Sequence, residues 1–352
     1  RKYMLSSILI NDINDIVSDN VIPWNEMRDS TILVTGSTGL IGSALIHALC
    51  AANKKYNLGI RILAFGRNER KAKSLIENYG IEFFKHDICK PIIIKSNVNY
   101  IFHCAAITKS SEMATNPVEV INISIKGTDN ILTLAKKKDV KSMVYLSSME
   151  VYGRIKPTLL SVTEDILGNI DLKNPRSCYP ESKRMCECMC NCWFSQYGIP
   201  VKIARLAQTF GAGTPITDTR IFTQFALSAI NGKDIVLHTD GRSRGNYCYI
   251  NDVIKGLFLL LLKGKNGEAY NIVNPKASMT IRQMALFVSE KVGDKKVPVV
   301  VDKPSNIQAF GYAPETSFRL SAKKLEKIGW KAKYNLAEMY RRMIQNWHEE
   351  KL

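Results

Sequence analysis

A tyrosine and a lysine four positions apart, Tyr179 and Lys183, stand in the segment YPESK. Residues at this spacing lie on one face of a helix. A phenol has an ordinary pKa of about 10, and a lysine charge beside it favours the phenolate and lowers that value. The pair therefore predicts a base that removes a hydroxyl proton near neutral pH. Ser148, in the segment SSMEVYG, could donate a hydrogen bond to the same substrate oxygen.

A glycine-rich turn, TGSTGLIGS, separates a strand-like segment from a helical one. The first glycine suits a tight turn, the second lets the backbone approach a pyrophosphate, and the third lets helix and strand pack closely. The helix N-terminus adds unpaired N–H groups and a partial positive charge for the phosphates. We therefore predict a dinucleotide site here. The turn residues assigned to it are Gly36, Thr38, Gly39, Leu40, Ile41 and Gly42.

Strand-like and helical segments alternate through the first half of the chain. The strand-like segments are 31–36, 60–66, 81–88, 98–106 and 140–148, and the helical ones are 40–53, 68–80 and 117–138. Such alternation predicts right-handed crossovers and a parallel sheet covered by helices on both faces. We therefore predict an α/β fold, a Rossmann-type doubly wound parallel sheet with a smaller interleaved C-terminal α/β substrate lobe.

The same pattern suggests how the chain is divided. Residues 1–29 are expected to form a helical extension and residues 30–200 a dinucleotide-binding domain. Residues 212–352 are expected to form mainly the substrate lobe. Strands around 200–211 and 246–275 are expected to return to the first domain.

Composition narrows the class of protein and its partners. The 352 residues are 45% hydrophobic and 23% charged, as in a soluble globular protein, with a formal net charge of +17. The longest apolar run, at 256–264, is shorter than the roughly 20 residues of a membrane span, and no leader segment is visible. We therefore expect a cytoplasmic protein without a membrane partner. The basic residues are spread along the chain, which favours a small phosphorylated ligand over nucleic acid.

Four of the nine cysteines alternate in the segment MCECMCNCW. In a helix this spacing places Cys186 over Cys190 and Cys188 over Cys192, on different faces. The C-x-x-C spacing of a zinc site is absent, so we predict no metal. We interpret these residues as small packing side chains in a reducing cytosol, with a redox switch or a metal site as the alternative.

The G-x-x-G-x-x-G spacing, the Tyr-x-x-x-Lys pair and the segment SSMEVYG together resemble the short-chain dehydrogenase/reductase superfamily, in its extended, nucleotide-sugar branch. The resemblance covers about residues 30–345. It implies an NAD-dependent epimerase/dehydratase that oxidises the C4 hydroxyl of a sugar joined to a nucleoside diphosphate. The catalytic residues that it implies are Ser148, Glu150, Tyr179 and Lys183.

Two neighbouring residues bear on the reaction type. By the resemblance, Glu150 acts at C5, as in dehydratases and decarboxylases, whereas C4-epimerases have a small or neutral residue there. Met149 departs from the 4,6-dehydratases, which have an aspartate, because a thioether has no proton to donate. Epimerisation, dehydration and decarboxylation therefore stay open. The alternative interpretation of Glu150 is a structural carboxylate paired with Arg154.

The predicted substrate residues also depart from the usual pattern of the branch. Gln208 stands where an asparagine is usual, and Arg244 comes one residue before the usual arginine, whose place Gly245 takes. Guanidinium groups match phosphate oxygens, so Arg220 and Arg244 are candidates for the substrate diphosphate, with ordinary surface arginines as the alternative. The full set assigned to the substrate is Thr108, Met149, Gln208, Arg220 and Arg244.

The residues after the second strand concern the choice of cofactor. Phe65-Gly66-Arg67-Asn68 lacks the acid that would bind the ribose of NAD, and Arg67 could accommodate a 2′-phosphate. We expect NAD(P), with a slight preference for NADP. By the resemblance, the further cofactor residues, besides Tyr179 and Lys183, are Asp87, Ile88, Ala105, Ala106 and Asn122. His103 is expected to be a packing residue.

Two other functions stay open at this stage. Arg67 would also suit a reductase that uses free NADPH on a keto-sugar or another carbonyl. A non-catalytic protein that keeps only the dinucleotide site is the third hypothesis. Relatives in this branch commonly dimerise through two helices, here around 114–137 and 179–197, so we expect a homodimer.

Overall fold

Strands and helices alternate along the chain in this computed structural model, which describes residues 4–156, 161–305 and 315–350. The strands are β1 (Thr31–Thr35), β2 (Arg61–Gly66), β3 (Glu82–Lys85), β4 (Tyr100–His103), β5 (Ser142–Ser148), β6 (Val201–Leu206), β7 (Gln208–Phe210), β8 (Ile235–Leu237), β9 (Arg244–Tyr249), β10 (Ala269–Ile272), β11 (Asn274–Thr280) and β12 (Val299–Val301). The helices are α1 (Ser7–Val17), α2 (Leu40–Tyr56), α3 (Glu69–Tyr79), α4 (Ser110–Thr115), α5 (Pro117–Lys138), α6 (Cys178–Tyr197), α7 (Ile221–Ile230), α8 (Ile250–Lys263), α9 (Ile281–Lys291), α10 (Lys323–Glu326) and α11 (Leu336–Glu350).

A seven-stranded parallel sheet lies at the centre, in the order β10-β6-β5-β4-β1-β2-β3. The chain moves outward from β1 to β3, then returns to β4 on the other side of β1. The carboxyl ends of β1 and β4 therefore flank the point where the strand order reverses. Open α/β sheets bind ligands at such a point.

Both faces of the sheet are buried. In β1, Ile32 and Val34 join a core shared with α2 and α8, whereas Leu33 joins a second core with α5 and α6. The side chains of a strand point alternately to its two faces, so this division follows from the sequence TILVT. The predicted Rossmann-type doubly wound sheet is confirmed.

Two smaller sheets lie beside the large one. Strands β11, β9 and β7 form one, and β12 pairs with β8 in parallel in the other. Strand β10 belongs to the seven-stranded sheet, where it pairs with β6.

The N-terminal helix α1 packs against α2, α8 and α11. Its Asp12 forms an ion pair with Arg342 on α11, and its Asp15 lies 2.8 Å from the Lys255 ammonium on α8. An ion pair therefore connects the first and last helices of the described chain. None of the described helices is both long and apolar enough to cross a membrane.

Candidate functional site

The glycine-rich turn joins β1 to α2 at the switch point of the sheet. Gly36 has a φ of +62°, a region that favours glycine, and a Cβ there would lie 2.9 Å from the Ala105 nitrogen. A Cβ on Gly42 would lie 2.3 Å from the Gly36 oxygen, so α2 passes directly over the turn. The turn is thus as tight as the sequence pattern requires.

Two observations test whether this turn fits a dinucleotide. No side chain caps α2, whose N-cap is Gly39, so its first N–H groups have no side-chain acceptor. The buried hydroxyl of Ser37 has no hydrogen-bond partner among the described residues. Unsatisfied donors beside an open helix N-terminus suit phosphate oxygens. The turn therefore fits a pyrophosphate group.

The other predicted cofactor residues follow the carboxyl ends of β2, β3 and β4, except Asn122, which lies on α5. The Ala105 nitrogen donates a 3.2 Å hydrogen bond to Thr35 Oγ1, which fixes the loop after β4 against the end of β1. Arg67 and Asp87 are exposed after β2 and β3, Ile88 is buried, and Ala106 and Asn122 are half-buried.

Tyr179 and Lys183 lie on the first two turns of α6, and both are buried. The Lys183 ammonium lies 5.8 Å from the centre of the Tyr179 ring. Ser148, the last residue of β5, hydrogen-bonds the Tyr179 side chain and also accepts the Glu150 N–H at 3.2 Å. The structure thus brings together the four residues predicted to be catalytic.

The pKa of the Tyr179 phenol is shifted in the opposite direction to the one expected from the sequence. The pKa of Tyr179 is raised to about 12, first by burial and then by the Glu150 carboxylate. The Ser148 hydrogen bond and the Arg176 and Arg220 guanidinium groups act the other way and lower the pKa. Burial also lowers the pKa of Lys183. Desolvation of the phenol therefore outweighs the neighbouring cations, so the pKa shift is opposite in direction to the one expected from the sequence.

Glu150 lies in the 3-10 turn Met149–Tyr152 and points to an arginine that the sequence argument missed. Its carboxylate lies 2.9 Å from Arg176, whose side chain is 7% exposed. The expected alternative partner, Arg154, is wrong: the Arg154 backbone pairs with Asn169, and the carboxylate pairs with Arg176. Arg176 stands three residues before Tyr179, and this proximity to the motif is the sequence feature that could have drawn attention to it.

The predicted substrate residues divide into two groups. Met149 is buried beside the catalytic residues, and Arg220, the N-cap of α7, is close enough to affect the pKa of Tyr179. The Arg220 guanidinium is held by Asp218 at 2.6 Å. Thr108 is exposed after β4 and Gln208 is half-buried at the start of β7.

Arg244, at the start of β9, lies near a second arginine, Arg319. It donates a 3.1 Å hydrogen bond to the Ser278 carbonyl, and burial and the Arg319 charge lower its pKa. Sequence reasoning missed Arg319 because only long-range packing places it next to β9.

Of the residues expected to be packing side chains, His103 and two of the four alternating cysteines are buried. His103 is buried between Thr35, at 2.8 Å, and Thr128, and burial lowers its pKa to about 3, which fits the expected packing role. On α6, Cys186 and Cys190 are buried and Cys188 and Cys192 are exposed, as the helical spacing predicts. Within the described ranges, no three His, Cys, Asp or Glu side chains are grouped as metal ligands.

Known proteins resemble this chain in sequence and in fold. UDP-glucuronic acid decarboxylase 6 of Arabidopsis thaliana is 31% identical over 308 residues, which cover 87% of this chain and 85% of the relative. UDP-glucose 4-epimerase of Thermotoga maritima superposes with a TM-score of 0.77 at 22% identity, covering 92% of this chain and all of the other. DesIV of Streptomyces venezuelae, a dTDP-glucose 4,6-dehydratase with NAD bound, has a TM-score of 0.75 at 22% identity, covering 91% and 97%.

At such identities the two solved structures establish the fold alone. The sequence itself shows the family: the model of the NAD dependent epimerase/dehydratase family matches residues 32–273, from β1 to the end of β10. That range includes the glycine turn, Ser148, Tyr179 and Lys183. The chain belongs to the NAD dependent epimerase/dehydratase family.

Proposed function

We propose that this protein oxidises the C4 hydroxyl of a nucleoside diphosphate sugar and then acts at C5, with decarboxylation of UDP-glucuronate as its reaction. The observation that carries this proposal is the position of Glu150, a carboxylate on the turn after Ser148 whose charge acts on Tyr179. A carboxylate beside the phenol suits proton chemistry at C5, next to the oxidised carbon. The Arabidopsis relative named above supports the choice of substrate.

Each residue has a defined task in this reaction. Tyr179 removes the proton of the C4 hydroxyl, and Ser148 donates a hydrogen bond to the same oxygen. A bound nicotinamide would supply the hydride acceptor for C4 and, after the carboxylate has left, the hydride that reduces the 4-keto group again, so no other oxidant is consumed. A 4-keto group then stabilises the electron pair left at C5 when the carboxylate departs as carbon dioxide. Glu150 controls the proton that C5 finally receives.

Met149 argues against 4,6-dehydration. It is 8% exposed beside Glu150, and its thioether has no proton for a departing 6-hydroxyl. Decarboxylation needs no such donor, because the group that leaves is neutral carbon dioxide.

Arg67 supports a preference for NADP over NAD within this proposal. It is exposed immediately after β2, where an acid would bind the ribose hydroxyls of NAD. The same residue favours the second candidate function, a reductase that consumes free NADPH on a keto-sugar.

We also propose a homodimer formed through α5 and α6, which pack side by side. Their outer face carries exposed apolar side chains: Val118 is 62% exposed, Ile121 43% and Met185 52%. A second copy of the chain would cover them. We place the enzyme in the cytoplasm, where its nine free cysteines would stay reduced.

Incubation with single nucleotide sugars tests the proposal. The purified protein, supplied with NAD or NADP, is mixed separately with UDP-glucuronate, UDP-glucose and dTDP-glucose, and products are followed by mass spectrometry and NMR. Loss of carbon dioxide from UDP-glucuronate is the expected result. Loss of water would identify a dehydratase, unchanged mass with altered proton couplings an epimerase, and stoichiometric NADPH oxidation a reductase. No conversion of any sugar by cofactor-bound protein would contradict the proposal.

A further inference from the structure

Arg176 faces both acid–base groups of the site, although it precedes the Tyr-x-x-x-Lys motif. It lies in the 3-10 turn Pro175–Ser177, directly before α6. Its guanidinium is 2.9 Å from the Glu150 carboxylate and 5.9 Å from the centre of the Tyr179 ring. The Arg176 side chain is 7% exposed and the Glu150 side chain 26%, so solvent screens the ion pair only in part.

The turn that carries Arg176 is itself fixed. The Asn174 side chain accepts the Arg176 N–H at 3.0 Å, and Ser177 Oγ donates a 2.6 Å hydrogen bond to the Asp171 carbonyl. These hydrogen bonds fix the backbone that carries Arg176, and so help to hold its guanidinium beside Glu150.

We propose that Arg176 is a positioning residue which, by pairing with Glu150, lets the carboxylate and the Tyr179 phenolate be charged side by side. The Glu150 carboxylate disfavours ionisation of Tyr179, because two neighbouring anions oppose each other's ionisation. A guanidinium close to both groups reduces this opposition. The inference rests on the proposed function, since it concerns the same two acid–base groups.

The electrostatics agree with this geometry. Glu150 raises the pKa of Tyr179, whereas Arg176 lowers it. The other groups that face Tyr179 are Ser148 and Tyr145 from β5, Lys183 on α6, and Arg220 at the start of α7, which is shared with Asp218. Arg176 is the member of this set that bonds the Glu150 side-chain carboxylate in the described chain, whereas Ser148 accepts the Glu150 backbone N–H.

The test is a double-mutant cycle in the full-length protein. Arg176→Met should move the acid limb of the kcat/KM profile to higher pH by about one unit, because phenolate formation loses a neighbouring cation. Glu150→Gln should move the limb to lower pH, and the double variant should lie close to the wild type. Arg176→Lys, which keeps the charge, should restore most of the wild-type position.

A second arginine provides the matched control. Arg184 bonds the Val151 carbonyl of the same turn at 2.8 Å and pairs with Glu181, so Arg184→Met disturbs the neighbourhood without touching the Glu150 pair. The Arg184→Met variant should leave the acid limb of the kcat/KM profile at its wild-type pH. Equal shifts in Arg184→Met and Arg176→Met, or shifts of the same sign in Arg176→Met and Glu150→Gln, would overturn the proposal.

A spectroscopic measurement separates this inference from the proposed function. The tyrosinate absorbance of each variant, minus that of the same variant carrying Tyr179→Phe, gives the phenolate fraction at one alkaline pH without any substrate. Arg176→Met should show less phenolate than the wild type and Glu150→Gln more. If no nucleotide sugar is converted, the proposed function fails while this ordering still supports the role of Arg176. Equal fractions in all variants would refute that role.

Discussion

The ammonium of Lys183 donates a 2.7 Å hydrogen bond to the carbonyl of Leu146, and this contact fixes helix α6 to strand β5. Two residues further along β5, Ser148 hydrogen-bonds Tyr179, one turn before the lysine. The four residues therefore connect one helix and one strand at two points. This double connection sets the position of the phenol relative to the end of the sheet, where the cofactor site begins.

Removal of the Tyr179 hydroxyl is expected to abolish most of the activity. Tyr179→Phe keeps the buried ring and loses only the proton acceptor, so kcat should fall by about 10²- to 10⁴-fold. Steady-state assays on the identified nucleotide sugar measure the loss, and thermal unfolding serves as the control for fold. Retention of full activity would exclude Tyr179 as the base.

Two glycines of the turn should respond differently to alanine. In Gly42→Ala the new methyl group would lie 2.3 Å from the Gly36 oxygen, a backbone atom that cannot move aside, so unfolding free energy should fall by about 1–3 kcal/mol. In Gly39→Ala the corresponding contact is 3.3 Å, and the fold should survive with weaker dinucleotide binding.

Thermal unfolding and calorimetric titration with the dinucleotide measure the two effects separately. Equal stability of the two variants would show that α2 does not press on the turn. Wild-type dinucleotide affinity in Gly39→Ala would place the pyrophosphate elsewhere.

The preference for NADP should depend on Arg67. Arg67→Ser removes a guanidinium that could bind a 2′-phosphate, so the Kd for NADP should rise about tenfold or more while that for NAD changes little. Arg70→Ser, an exposed neighbour on α3, is the matched control. Isothermal titration with each cofactor measures both constants, and equal losses for NAD and NADP would remove Arg67 from cofactor selection.

Dimer formation should be sensitive to charge on the outer face of α5 and α6. Ile121→Asp or Met185→Glu places a carboxylate where a second copy would bury it, so light scattering after gel filtration should report a shift towards monomer. Ile93, 86% exposed after β3, provides the control: Ile93→Asp should leave the assembly unchanged. A wild-type protein that is monomeric at micromolar concentration would contradict the proposed interface.

Stability should depend on pH through Asp252 on α8. Burial raises its pKa to about 7 from an ordinary 3.8, because the carboxyl is buried and, among the described residues, accepts hydrogen bonds from the Lys333 and Tyr334 N–H groups alone, at 2.9 and 3.1 Å. The folded state thus holds a proton that the unfolded state releases. The contribution of this bound proton to the free energy of unfolding is fully present below about pH 4 and is lost as the pH rises to about 7.

Asp252→Asn cannot lose that proton. Its stability relative to the wild type should therefore increase by up to about 1.4 kcal/mol per pH unit between pH 4 and 7. Urea unfolding at several pH values measures the difference, with Asp234→Asn at an exposed carboxyl as the control. A difference that does not change with pH would show that Asp252 is ionised throughout.

Local spacing explains what could be predicted from the sequence. The glycine turn and the Tyr179–Lys183 pair depend on neighbours within one strand–turn–helix unit or one helical turn, and the sheet follows from alternating patterns. Arg176 and Arg319 could not be found in this way, since their roles depend on partners distant in sequence. The pKa of Tyr179 depends on complete burial, which periodicity does not measure.

Besides packing against α2 and α8, helix α1 contacts α11, the last helix of the described chain. Asp12 needs Arg342, and Ser6 Oγ donates to Asn346 on α11. The contacts between α1 and α11 can therefore form only after α11 has left the ribosome. Until then the face of α1 that α11 covers stays open to chaperones, so mutations in α11 should reduce the yield of folded protein in cells more than they slow catalysis.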